Sequence, residues 1–111
     1  KAPLKLLTTR EANRFFNPYP LDATLDLHGL TKLEAHARVA VFIHHQQRAG
    51  RRHVLIITGK GRGGEAGVLR SNLPHWLNEA PLRGLISALA HARPEKGGAG
   101  VLHVLLKSRT P

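Results

Sequence analysis

Thr24-Leu25-Asp26-Leu27-His28-Gly29-Leu30-Thr31-Lys32-Leu33-Glu34 changes its periodicity half-way along. Over residues 24–28 apolar and polar side chains alternate. Leu25 and Leu27 fall on one side and Thr24, Asp26 and His28 on the other, the pattern of a short half-buried strand. Gly29 ends the alternation. Thr31 and Glu34 then stand three apart, the Thr-x-x-Glu capping box that satisfies free amides at a helix start. Ala35, Val39, Phe42 and Ile43 follow at helical spacing and Gly50 supplies a stop, so an amphipathic helix is predicted over residues 31–49.

Outward from this unit, residues 53–58 are apolar on both faces through Val54, Leu55, Ile56 and Ile57, as in a central strand. Residues 59–67 hold five glycines in nine positions. Leu69, Leu73, Trp76 and Leu77 mark a second helix, which Pro74 is expected to kink or to open in its last turns. Residues 84–92 and 101–107 read as two more strands. Residues 94–100 join them without a crossover helix, so the two are expected to pair antiparallel. Upstream, residues 1–22 read as an N-terminal arm. Residues 8–13 could form a helical turn, but Asn17, Pro18 and Pro20 break any continuation. Phe15, Phe16 and Tyr19, three of the five aromatic residues, are expected to pin the arm to the body. The order is therefore β-α-β-α-β-β: a two-layer α/β sandwich on a mixed four-stranded sheet, with both helices on one sheet face. Residues 23–109 form this domain.

Composition narrows the function. The 111 residues suit one domain, and 41% hydrophobic content supports one modest core. Lys and Arg number 17 against 7 acidic residues, a net charge of +10, which points to a polyanionic partner, nucleic acid before anionic membrane. The absence of Cys excludes a disulfide framework, a thiolate nucleophile and a Cys zinc site, and fits the cytosol. No apolar run reaches membrane-spanning length, and residues 1–22 lack the charged, apolar, small-residue order of a signal peptide. A cytoplasmic protein with a nucleic-acid partner and no membrane partner is expected.

Two stretches could carry chemistry. Asp26 and His28, two apart on a strand, share a face with alpha carbons about 6.5–7 Å apart. Leu25 and Leu27 claim the helix-covered side, so Asp26 and His28 project away from it. There His28 could serve as acid or base, with Asp26 as its orienter, a second base or a metal ligand. The same residue types also fix turns, cap helices or face solvent, and spacing alone favours that use. The second stretch is Thr58-Gly59-Lys60-Gly61-Arg62-Gly63-Gly64, between a strand and a helix. Its freed amides, helix start and two cations would make a phosphate cradle; otherwise it is a mobile connector.

Gly59, Gly61 and Gly64 match G-x-G-x-x-G, but this loop follows the second strand, and the next strand ends at His91-Ala92-Arg93 with no acid for a ribose. A Walker loop fails because Glu65 and Ala66 follow Gly64. The eight histidines include no H-E-x-x-H and no helical i, i+4 pair, and they read as surface or core residues.

Leu25-Asp26-Leu27-His28-Gly29 joined to Thr58-Gly59-Lys60-Gly61 strongly resembles the Smr domain family, which carries an L-D-L-H-G strand end and a later H-G-K-G or T-G-K-G loop. The similarity continues through Val68-Leu69-Arg70, Trp76-Leu77 and Gly97-Gly98-Ala99-Gly100, over about residues 23–107. This resemblance implies a fold similar to the C-terminal domain of bacterial translation initiation factor 3. It also implies endonuclease activity on RNA or DNA, including nicking and, in some bacterial members, cutting of mRNA at stalled or collided ribosomes. Asp26 and His28 occupy the family's Asp-x-His positions; Gly59, Lys60 and Gly61 occupy its Gly-Lys-Gly loop. Thr58 stands where many members have His, and the loop from Arg62 to Gly67 is longer than in the shortest members.

The expectation is an endonuclease domain that cleaves phosphodiester bonds, with RNA ahead of DNA as substrate and the ribosome as one setting. Lys60, Arg62 and loop amides would neutralise the phosphate, His28 would move a proton and Asp26 would orient it. On RNA the attacking group could be the substrate's own 2′-hydroxyl; on DNA it must be water. No cofactor is required, although one Asp and one His can share a divalent metal with substrate oxygens. The alternative is a module that docks on RNA, DNA or the ribosome without cutting. Oligomeric state is left open. Under either reading, nucleic-acid affinity should fall by roughly one logarithmic unit per decade of salt for each phosphate neutralised. Lys60→Ala and Arg62→Ala should each weaken binding across all sequences and make that slope shallower, as read by titration at several salt concentrations.

Overall fold

A computed structural model of the chain describes residues 2–59 and 64–109. Seven principal elements follow in order: α1 (Thr9–Phe16), β1 (Leu21–Asp26), α2 (Lys32–Arg48), β2 (His53–Ile57), α3 (Gly64–Asn78), β3 (Ile86–His91) and β4 (Val101–Leu106). The sheet order is β1-β2-β4-β3. β1 and β2 run parallel across the α2 crossover, while β4 pairs antiparallel with both β2 and β3. The last two strands thus form the expected antiparallel pair, and the sheet is mixed.

Alternation sets the faces. Leu27, Val54, Ile56, Leu102, Val104 and Leu106 are buried against Ala35, Val39 and Ile43 of α2 and Leu69, Leu73, Trp76 and Leu77 of α3. Each Val, Leu or Ile among them contributes about 1.5–3 kcal/mol when fully withdrawn from water. The Thr31 capping box is present in both directions: the Thr31 hydroxyl accepts from the Glu34 amide at 3.2 Å, and Glu34 accepts from the Thr31 amide at 2.9 Å. Phe42 is only half-buried at the margin of the stripe.

The α3 region departs from expectation in two ways. The helix starts at Gly64, so the glycine-rich link is shorter than its composition implies and residues 64–67 form a first turn. It also continues past Pro74 to Asn78, whose side-chain amide donates to the Pro74 carbonyl at 2.8 Å. Trp76 and Leu77, beyond the proline, are buried in the core, and their packing holds the last turn in place.

The larger departure is the arm. Its helix runs Thr9–Phe16, longer than the turn expected over residues 8–13, because Thr8 and Glu11 form a second reciprocal capping box. Before it, the Leu4 amide donates to Asn78 Oδ1 at 2.6 Å. Leu6 bridges Leu89, and the Leu7 amide donates to the Leu89 carbonyl at 2.8 Å. The arm therefore occupies the open edge of β3, where unpaired amides would otherwise face outward. It then crosses to the sheet face opposite α2 and α3. Phe16 is buried there with Ala88, Ala90 and Leu105, and Tyr19 packs beside them. Phe16 and Tyr19 pin the arm as expected, whereas Phe15 stays 48% exposed. The two-layer sandwich thus carries a partial third layer.

Under Phe16, two histidines meet that the sequence pattern left scattered. His53 Nε2 lies 2.8 Å from His103 Nδ1, and the Phe16 ring sits 4.9 Å and 5.7 Å from their respective ring centroids. His103 pairs opposite Leu55, and His53 opposite Leu105, so the two rings are diagonal neighbours on one face. Burial, and secondarily the neighbouring His53, push the His103 imidazole below its ordinary range. Phe16→Ala should cost about 3–5 kcal/mol in urea unfolding, and hydrogen exchange should show the Leu7 amide losing its protection as the arm detaches.

Candidate active site

The end of β1 is built by very local bonds. The Leu27 amide donates to the Ile57 carbonyl at 2.7 Å, extending strand pairing one residue beyond Asp26. The chain then turns: the Leu30 amide donates to the Leu27 carbonyl at 3.1 Å, with Gly29 at φ +82°, a value L side chains rarely adopt. Thr31 caps α2 immediately afterwards. Leu27 is fully buried, while Asp26 at the strand end and His28 in the turn are both exposed.

Asp26 and His28 meet on that outward side. Asp26 Oδ1 accepts the His28 backbone N–H at 3.0 Å and faces His28 Nδ1, also at 3.0 Å. Their side chains remain 49% and 73% exposed. The His28 amide first, and the His28 ring second, hold the Asp26 carboxyl below the usual carboxylate range. An ionised carboxylate only accepts, so Nδ1 carries the hydrogen and Nε2 is the ring nitrogen left for a partner. In a neutral ring this is the tautomer a proton acceptor needs.

The pair borders a cleft of about 430 Å³ between the ends of β1 and β2 and the first turn of α3. Asp26 pairs with Ile57 across the sheet, and Thr58 and Gly59 continue the opposite wall. Thr58 is buried, and both its amide and its hydroxyl donate to the Gly100 carbonyl, at 2.9 Å and 3.4 Å. It therefore anchors the β4 approach, which accounts for a threonine at this loop position. Gly59 adopts φ +105°, and Arg70 of α3 reaches back to its carbonyl at 3.4 Å. Lys60, Gly61 and Arg62 lie outside the described residues.

Three residues of this neighbourhood escaped the sequence pattern: Glu65 and Ala66, which line the cleft, and Arg70, which braces Gly59. Glu65 was hidden because the glycine run reads as loop through Gly67; only the helix start at Gly64 brings it to the cleft. Asp26, His28 and Glu65 border one space, yet among the described residues no three His, Cys, Asp or Glu side chains are grouped to hold a metal ion. Elsewhere, His36 lies 2.9 Å from Glu79 and stacks on Trp76 at 4.9 Å, a structural use.

A small mixed-sheet α/β domain, with an exposed Asp–His pair where its first strand meets a capped helix, defines a recognisable class. The Smr domain model matches residues 25–107, and the chain belongs to that family. Among curated proteins it is 36% identical over 91 residues to the probable DNA endonuclease SmrA of Escherichia coli (strain K12), covering 80% of this chain and 47% of that protein. It is 33% identical over 91 residues to an uncharacterized protein of Treponema pallidum (strain Nichols), covering 81% and 44%. The chain thus spans about half the length of these relatives. Among solved structures, YdaL, a stand-alone small MutS-related protein from Escherichia coli, superposes with a TM-score of 0.76 at 28% identity, over 95% of this chain and 81% of that one. The Smr domain of Thermus thermophilus MutS2 gives 0.66 at 29% identity, over 78% and 99%.

Gly59 offers a direct check on the cleft wall. A Cβ there would lie 3.5 Å from His28 Cβ and 3.8 Å from Ala66 Cβ, ordinary contact, so the cost falls on the backbone conformation. Gly59→Ala should lower stability by about 1–3 kcal/mol in thermal denaturation.

Proposed function

We propose that this chain is an endonuclease domain that cuts a phosphodiester bond of nucleic acid in the Asp26–His28 cleft. The observation that carries the reading is the exposed, hydrogen-bonded pair itself, which presents His28 with Nε2 available beside a carboxylate. Asp26 sets the tautomer and stabilises the imidazolium that forms when Nε2 takes the proton of the attacking oxygen. That proton is then available to the leaving oxygen. Lys60 and Arg62 are assigned from the sequence to neutralise the phosphate.

The SmrA relative, named a probable DNA endonuclease, supports DNA as a substrate. There water attacks. On RNA the same pair serves a 2′-hydroxyl, and the sequence-based preference for RNA rests on that economy of parts. No cofactor is needed in this scheme. A divalent metal shared by Asp26, His28 and substrate oxygens is the competing one, which EDTA treatment followed by Mg²⁺ or Mn²⁺ rescue distinguishes.

A second reading, a binding module that does not cut, draws on the Asp26–His28 backbone bond, which by itself braces the strand end as an Asx-type turn. Labelled single- and double-stranded RNA and DNA decide between them. His28→Ala should reduce cleavage on the order of 10² to 10⁴-fold with fold and most affinity retained. Asp26→Asn, which keeps the oxygen that accepts the His28 amide, should do likewise. Cleavage at wild-type rate by either variant removes its residue from the reaction; unfolding of both assigns the pair to the turn.

A further inference from the structure

The sheet face opposite α2 and α3 carries a second concavity, of about 370 Å³, between α1 and the strands. Phe16, Ala90 and Ala92, all buried, form its floor, and the half-buried Ala12 and Tyr19 add apolar surface. Thr9, Asn13 and Asn17 supply hydrogen-bonding groups from the arm, and Arg93 and Lys96 supply cations from the turn after β3. Among the described residues no carboxylate borders it. Arg93 Nη2 donates to Asn13 Oδ1 at 3.5 Å, which ties the guanidinium to the arm.

His103 adds a directed group. The Tyr19 carbonyl, 3.0 Å from His53 Nδ1, can only accept, so Nδ1 donates. His53 Nε2 and His103 Nδ1 face each other at 2.8 Å and share one hydrogen. The nitrogen of His103 left for a ligand is Nε2, an acceptor when bare and a donor when protonated. Apolar surface, amide side chains and clustered cations together match one nucleotide: base on the apolar side, polar edges on the amides, phosphate on the cations.

Its position links it to the cleft. Asp26 pairs with Ile57 and Ile57 with Val101, and the Ala92 amide donates to the Val101 carbonyl at 3.0 Å. Asp26 and Ala92 thus lie in one row at one end of the sheet. Three interstrand steps separate them, about 14 Å, the span of some four stacked nucleotides at about 3.4 Å each. Asp26 also projects from the same sheet face as the concavity, because Leu25 and Leu27 face the helices.

We infer that this concavity is a subsite for one nucleotide of the strand that the Asp26–His28 cleft engages, with Arg93 and Lys96 on its phosphate. The inference rests on the nucleic-acid reading above. The test uses the whole chain with labelled octamers of oligothymidylate and oligouridylate, with cleavage slowed by working in a His28→Ala background. Arg93→Ala with Lys96→Ala should weaken octamer binding about tenfold and reduce the salt slope by about one. Arg38→Ala with Arg48→Ala, on α2 across the sheet, removes equal charge and should weaken it less than threefold. In NMR titration the octamer should shift the Asn13 and Asn17 side-chain amides and the His103 ring.

Silent pocket resonances, or equal losses in the two double variants, overturn the subsite and leave the nucleic-acid reading standing. Failure of either octamer to bind any variant overturns both. Adenosine 5′-monophosphate that saturates the concavity without being displaced by either octamer makes it a free-nucleotide site and overturns the strand path.

Discussion

Burial of Leu27 is the constraint on which the site depends. The side chain sits wholly inside the layer between sheet and helices, one residue past the end of β1. Alternation along the strand turns Asp26 outward once Leu27 is seated, and the Leu27–Leu30 turn, with the His28 amide bonded to Asp26 Oδ1, sets His28 beside it. The turn at Gly29 and the Thr31 cap then bring the chain straight into α2. Hydrophobic burial supplies the energy, and the exposed pair is its geometric consequence. A pair so placed is joined by two hydrogen bonds without being buried, which leaves its remaining hydrogen-bonding groups open.

The charge distribution follows from how few carboxylates there are and where they are used. Glu11 and Glu34 close capping boxes, Asp22 accepts the Arg52 and His53 amides, Asp26 holds His28 and Glu79 faces His36. Five of the seven acidic residues are therefore committed to backbone or histidine, which leaves the excess of Lys and Arg poorly neutralised. A net charge of +10 on a chain of 111 residues sets up a positive field that reaches beyond contact distance. These acids stabilise local structure instead of neutralising Lys and Arg side chains.

The arm has two structural tasks. Along β3 it covers an edge; beyond β3 its helix covers part of a sheet face that would otherwise expose Ala88, Ala90 and Leu105. In covering that face incompletely it leaves a concavity walled half by the arm and half by the strands. The His53–His103 pair, His53 buried and His103 half-buried, lies at this junction, its orientation set by the Tyr19 carbonyl that faces His53.

Much of this was legible in the residues themselves. The strand and capped helix around Asp26, the apolar central strand, the antiparallel final pair and the outward placement of Asp26 and His28 all follow from local period and bonds between near neighbours. The motif pair at Leu25–Gly29 and Thr58–Gly61 was likewise sufficient to point to the family. Tertiary structure alone decided the insertion of β4 between β2 and β3, the start of α3 at Gly64 that carries Glu65 to the cleft, and the crossing of the arm to the opposite face. It also decided the meeting of His53 with His103. Each of these depends on which distant segments share one buried surface, a choice made by the packing of the whole chain and invisible to any local repeat of polarity.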